Sequence, residues 1–217
     1  MTTRAEFLAA VRDRLREPIP ENHLRPLTEA GLGEPIRYAV ELSDPEARFL
    51  EAATGVGAEV VGRPEDDLRA ILERVRDDVR PARAVVTDDP ECKGVAPILA
   101  SLGVEVLAAG GPSDVATADL GVTGALGGVA LTGSLVMDSG RARTRLASLL
   151  PEVHLALLAR DRIAATPGDF LRELSRWFPD GLPSNIVFIT GPSRSADIEL
   201  EITVGVHGPR KVLVALR

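Results

Sequence analysis

Ala58-Glu-Val-Val-Gly62 is followed by Pro64-Glu-Asp-Asp-Leu-Arg-Ala-Ile-Leu-Glu-Arg-Val-Arg-Asp-Asp-Val79, then Ala84-Val-Val-Thr87, Val95-Ala-Pro-Ile-Leu-Ala-Ser-Leu102 and Val104-Glu-Val-Leu107. The first, third and fifth pieces are short, apolar and β-branched, which is the composition of buried strands. The second places Leu68, Ile71, Leu72 and Val75 on one stripe at helical spacing, and the fourth is a helix closed by Gly103. Strands alternating with helices at this spacing predict an α/β domain with a mostly parallel sheet flanked by helices. Sheets of that kind hold ligands beyond the carboxyl ends of their strands, so a site is expected there.

Downstream the alternation continues less regularly. Leu120 to Met137 carries no charge and is long enough to cross a bilayer as a helix. Five glycines interleaved with Thr123, Thr132 and Ser134 instead predict two buried strands around the double glycine Gly127-Gly128. Val153–Leu158, Ile186–Thr190 and Val212–Leu216 read as strands, and Pro167–Phe178 as a helix. Upstream, Ser43-Asp-Pro-Glu46 reads as a capping box opening a helix that ends near Gly55 or Gly57. Thr3 and Glu6 form another, with Phe7, Leu8, Val11 and Leu15 on one face of an N-terminal helix that Pro18 and Pro20 stop. The domain boundaries follow: 1–42 for the N-terminal helix and its Pro- and Gly-rich connector, 43–217 for the α/β domain.

The chain has 217 residues, 45% hydrophobic and 26% charged, with mean hydropathy +0.08. Those values describe one folded domain, with room for a small subdomain, rather than a disordered chain. A net charge of −7 opposes binding to nucleic-acid backbones or anionic membranes. The single Cys92 excludes an internal disulfide framework, and also an iron–sulfur cluster held by this chain alone. Acidic residues interrupt the start before a secretory signal could form, so a cytoplasmic location is expected.

Three segments carry candidate chemistry. In Leu131-Thr-Gly-Ser-Leu135, a glycine between two hydroxyl residues reads either as a cradle for an anion or as a bulge in a buried strand. Gly191-Pro-Ser-Arg-Ser-Ala-Asp-Ile-Glu199 offers donors from Ser193, Arg194 and Ser195 for an anion-binding turn; a serine at 195 spoils the nucleophile-elbow pattern. From Ala196 to Val206 every even position is apolar, which predicts a strand with Asp197, Glu199 and Glu201 on one face. That acidic face is either solvated or, with His207, a metal site. Gly205-Val-His207-Gly-Pro209 holds a histidine on a constrained backbone, as acid–base work requires. Arg141, Arg143 and Arg145 lie beside the glycine-rich segment and could attract an anion, while His154 reads as a core or strand-end histidine. Neither a Walker lysine nor a Gly-x-Gly-x-x-Gly fingerprint occurs, which opposes nucleotide binding by those routes.

Gly121-Val-Thr-Gly124, Thr132-Gly-Ser134, Ser148-Leu-Leu-Pro151-x-x-His154, Gly191-Pro-Ser-Arg-Ser-Ala-Asp-Ile-Glu199 and Gly205-Val-His-Gly-Pro209 together resemble the lactate-utilisation C family of short LUD-domain proteins. The resemblance covers the chain from about residue 40 to the end. Ser195 departs from the family's threonine but keeps the hydroxyl. The resemblance implies a fold like that of the sugar-phosphate isomerase and coenzyme-A transferase group. It also implies a part in oxidising L-lactate to pyruvate alongside iron–sulfur partner proteins, with no redox cofactor in this chain. We place an anionic ligand against Thr132, Gly133 and Ser134 with Ser193 and Ser195 opposite, and Asp197 and His207 nearest any reaction. A free-standing enzyme of the same fold group, binding an anionic metabolite such as a sugar phosphate or an acyl-coenzyme A, is the alternative. A nucleotide-dependent ligase ranks third.

Overall fold

A computed structural model describes residues 42–107, 111–138, 145–179, 181–196 and 202–217, together with Thr3, Arg4, Glu6 and Ala9. The backbone divides into Met1–Ala39 and Val40–Arg217, and apart from the Thr3–Glu6 capping box everything that follows lies in the second unit. The Thr3–Glu6 capping box is present: Thr3 N donates to Glu6 Oε2 at 2.7 Å, and Glu6 N to Thr3 Oγ1 at 3.3 Å. Phe7, Leu8, Val11 and Leu15, the face expected for that helix, and most of the 17–42 connector lie outside the described residues.

Helix α1 (Pro45–Gly55) starts one residue later than the Ser43 box predicts. Pro45 fits the first helical position because it needs no N–H there, so Asp44 becomes the cap and accepts from Ala47 N at 3.0 Å. Helix α2 (Leu68–Val79) also begins late: Asp66 Oδ2 accepts from Arg63 N at 2.9 Å and holds Pro64–Asp66 as a turn. Helix α3 spans Val95–Ser101, α4 Pro112–Ala116 and α5 Pro167–Trp177. In α5 the Thr166 side chain and Asp169 cap each other reciprocally.

Six strands form an all-parallel sheet in the order β1-β12-β7-β4-β2-β3. They are β1 (Glu59–Gly62), β2 (Arg83–Val86), β3 (Glu105–Leu107), β4 (Leu120–Gly124), β7 (Val153–Leu158) and β12 (Lys211–Leu216). One face packs Leu120, Val122, Leu155, Leu157 and Leu213 against Ile71, Leu72 and Val75 of α2 and Val95 and Leu99 of α3. The other face packs Ala156, Leu158, Val212 and Val214 against Phe49 and Ala53 of α1 and a second sheet. That second sheet has the order β8-β5-β6-β9: β8 (Ile163–Ala164), β5 (Gly127–Val129), β6 (Ser134–Asp138) and β9 (Ile186–Ile189). Phe170 and Leu174 of α5 cover its far side. The α/β class with a mostly parallel, helix-flanked sheet therefore holds, with a small mixed sheet as an added layer.

Three sequence expectations change. The uncharged 120–137 stretch contributes three strands to two sheets, and the double glycine lies inside β5 rather than at a turn. A side chain at Gly128 would come within 2.8 Å of Leu158, and one at Gly127 within 2.4 Å of Phe170, so β5 fits between layers only without side chains there. Among the described residues no helix is long and apolar enough to cross a membrane. The alternating 196–206 segment is not one strand. Instead β10 (Arg194–Ala196) and β11 (Ile202–Val204) pair antiparallel as a hairpin.

The third change concerns where a ligand could sit. Chain order reverses between β2 and β4, and the crevice beyond their carboxyl ends is filled from within. Asp89, 4% exposed, places Oδ2 2.5 Å from the Thr87 hydroxyl and 2.9 Å from Gly124 N, so the donor at the end of β4 is already bonded. The open cavity lies at the opposite, amino end of the sheet.

Candidate functional site

A cavity of about 840 Å³ opens where β12 and β7 begin. Val212 of β12 forms its floor, and β9 with the end of β6 (Met137, Asp138) forms one wall. The 3₁₀ turn Arg145–Ser148 with Leu149, and Gly111 and Pro112 at the start of α4, form the other. Its lining is largely apolar, with polar groups from Ser148, Asn185, Thr190, Ser193 and His207 and one buried carboxylate, Asp138. Among the described lining residues there is no lysine or arginine. An acidic ligand there would be met by neutral donors and would also face the Asp138 carboxylate.

The loops carrying Ser193 and His207 are clasped to each other by the backbone. Ser193 N donates to Pro209 O and Gly205 N to Ser193 O, both at 2.9 Å, at the base of the β10–β11 hairpin. Gly208 sits against Ser193, where an added Cβ would lie 3.2 Å from the serine Cβ. The Ser193 loop is also fixed to the end of α1. Gly191, at φ +80, leaves no room for a Cβ beside Val56 O, and Arg194 Nη2 donates to that same oxygen at 2.9 Å. The Gly-Pro-Ser and Val-His-Gly-Pro motifs, 14 positions apart from Gly191 to Gly205, thus become one surface.

Ser193 and His207 line the cavity, and His207 is exposed. Thr132, Gly133 and Ser134 do not. Thr132 and Gly133 lie in the turn between β5 and β6 and Ser134 opens β6, with Gly133 at φ +65 pressed on the α1 backbone. Their hydroxyls run in a line instead: Thr132 Oγ1 lies 2.7 Å from Ser134 Oγ, which lies 2.7 Å from Thr190 Oγ1 on the cavity wall. Ser195 pairs with Thr203 in the hairpin and is not among the lining residues. Asp197, Glu199 and Glu201 lie outside the described residues, as do Arg141, Arg143 and the side chain of Arg145. Among the described residues no group of three or more His, Cys, Asp or Glu side chains could hold a metal ion.

Sequence reasoning missed Ser148, Asn185 and Thr190. Thr190 directly precedes Gly191-Pro-Ser and Ser148 opens a motif already singled out, so adjacency was the available signal. Two titratable side chains lie in the core, His154 as its strand suggests and Cys92. His154 is fully buried in β7, its Nε2 2.8 Å from Thr123 Oγ1, and burial pushes its pKa down to about 4. Cys92 is 5% exposed beside Thr87, and burial foremost, with Asp89 and Glu91 adding to it, pushes its thiol up to about 12. Native Cys92 should therefore react with a thiol reagent at pH 8 about a hundredfold slower than in the urea-unfolded chain. Equal rates would show that the thiol is accessible.

Residues 112–216 match the family model described as the LUD domain. Over 94 residues the chain is 43% identical to a lactate utilization protein C from Halalkalibacterium halodurans, covering 42% of this chain and 41% of that one. Over 101 residues it is 38% identical to a lactate utilization protein C from an Exiguobacterium species, covering 46% and 44%. The chain thus spans less than half the length of the curated relatives it matches. In three dimensions it resembles the crystal structure of a DUF162 family protein from Deinococcus radiodurans, with TM-score 0.58 and 19% identity over 79% of this chain and 95% of that one. That likeness concerns the fold.

Proposed function

The chain carries a LUD domain of the lactate utilization protein C type, and from that premise we infer a part for it in an L-lactate utilisation system. In this reading it is the subunit without a redox cofactor. It binds the small acid while iron–sulfur partner proteins take the two electrons released as L-lactate becomes pyruvate, the hydroxyl and C2 hydrogens leaving as two protons. The observation that carries the reading is the cavity clasped between the Ser193 and His207 loops, the two most specific motifs of the resemblance.

The cavity's chemistry suits that division of work. Neutral donors from Ser148, Thr190 and Ser193 match a single carboxylate, and the His207 imidazole is a group able to take the hydroxyl proton. A three-carbon acid would fill only a small part of 840 Å³. The remainder opens along Leu149, Val187 and Phe188, which are 47%, 40% and 38% exposed, and gives a second protein an apolar rim to meet. An iron–sulfur cluster does not fit the described residues. Its ligands are several thiolates, whereas Cys92 is a lone buried thiol whose proton is held tightly. Electron transfer is therefore assigned to the partners.

Anaerobic lactate oxidation by the reconstituted system tests the reading, with this chain present, omitted or carrying His207→Ala. Activity should require the chain, and His207→Ala should lower it by about tenfold or more with assembly unchanged. Full activity without the chain would overturn the proposal. The cavity's volume also favours one second reading, a free-standing enzyme binding a larger anionic metabolite. That reading requires a sugar phosphate or acyl-coenzyme A to bind this chain with no partner present.

A further inference from the structure

We propose that the cavity takes 2-hydroxy acids with extended apolar side chains, of which lactate is the smallest, and that Met137, Leu146, Val187, Ile189 and Val212 form the slot for that side chain. The inference rests on the cavity being the site of the small acid, and it adds which acids the site prefers.

The donors gather at one end of the cavity. Strand β9 stops at Ile189, and Thr190 and Ser193 follow it directly. A Cβ added at Gly208, next to His207, would lie 3.2 Å from the Ser193 Cβ and 3.6 Å from Leu149 Cδ1. Leu149 follows Ser148, so Ser148, Thr190, Ser193 and His207 come together there. An acid head held by these groups sits where β9 gives way to its loop.

Back along β9 the wall is apolar. Residues 185, 187 and 189 share one face of the strand because side chains alternate. Ile189 pairs with Leu135 and Val187 with Met137 across β6, and Ile189 packs in one cluster with Met137 and Val212. Phe188 turns to the other face, its ring 6.0 Å from that of Phe170. Three residues of strand separate Thr190 from Val187, about 10 Å, a length the methyl group of lactate does not span. Water in that stretch meets few hydrogen-bonding partners, so a side chain that displaces it gains the free energy of apolar burial. A tail ending in a second carboxylate gains nothing. Among the described lining residues there is no lysine or arginine to pair with it, and Asp138, opposite Ile186, lies toward that end.

Titration calorimetry of the full chain with L-lactate, L-2-hydroxybutanoate and L-2-hydroxypentanoate tests the slot. Affinity should rise about threefold with each added methylene, about tenfold across the series. The heat-capacity change of binding should grow more negative in the same order. L-2-hydroxyglutarate has as many carbons as the pentanoate and should bind no tighter than lactate. Ile189→Thr keeps the branching and sets a hydroxyl in the slot, so it should cut the pentanoate-to-lactate ratio from about tenfold to about threefold. Should that variant fail to fold, Val187→Thr, at an exposed position on the same face, supplies the same readout. Lactate binding with no gain along the series would overturn this inference and leave the cavity assignment standing. A gain that neither substitution reduces would overturn the slot as well. Failure of the wild-type chain to bind any of these acids would overturn both.

Discussion

Gly133→Ala should lower the unfolding free energy by on the order of 3–5 kcal/mol, one of the largest single-residue effects expected in this chain. Two penalties act together. Gly133 has φ +65, where an L side chain is strained by about 1 kcal/mol. An added Cβ would also lie 2.2 Å from Ala53 N and 2.4 Å from the Ala52 carbonyl carbon. Those are backbone atoms of α1, which cannot rotate aside as a long side chain would. The β5–β6 turn and the helix would have to separate, opening the layer that buries Phe49 and Ala53. Gly55→Ala is the matched control on the same helix: nothing lies within 4 Å of its added Cβ and its φ is not positive. Urea unfolding should find that control within about 1 kcal/mol of wild type, on the stabilising side. A loss below 1 kcal/mol for Gly133→Ala would show that the turn does not bear on the helix.

That packing marks the boundary of what was legible beforehand. The stripe of Leu68, Ile71, Leu72 and Val75 named α2 because one face of the helix is buried and the other is wet. Val153–Leu158 was bounded correctly because a strand buried on both faces is apolar along its length, here at every position but His154. The same continuous apolarity hid the division of residues 120–138, where β4, β5 and β6 are buried throughout and no period distinguishes one sheet from the other. Alternation from 196 to 206 could not separate a strand from a hairpin, since both arms keep a period of two. Ser193 and His207 were found because glycine and proline frame them. Thr190, Ser148 and Asn185 carry no such frame, and only the fold brings them to the cavity. Its position at the amino end was hidden for a different reason. The Asp89 carboxylate meets Gly124 N across 35 positions of sequence, and that bond occupies the expected crevice.

Lowering the pH from 7.5 to 5.0 should remove about 2 kcal/mol of stability through His154 alone. Its imidazole lies in β7 between Gly121 of β4 and Val212 of β12, with the Thr123 hydroxyl on Nε2 and no hydrogen-bond partner for Nδ1 among the described residues. Burial is the one cause of its depressed pKa of about 4, against an ordinary value near 6.5. Between those values the unfolded chain binds a proton that the folded chain refuses, so stability rises with pH across the window. It is fully present above 6.5 and is lost as pH falls toward 4, for a total of about 3 kcal/mol. His154→Asn, which keeps a partner for Thr123 and has nothing to titrate, should flatten the pH dependence of urea unfolding by that amount relative to wild type. The chain has three histidines, so proton NMR supplies a direct check: one imidazole should stay neutral at pH 5. If all three titrate near 6.5, the buried neutral histidine is refuted. The result also decides how an acid-side loss of activity is read. A decline that follows unfolding and is relieved in His154→Asn belongs to the sheet, whereas one that persists in a chain still folded has its origin elsewhere.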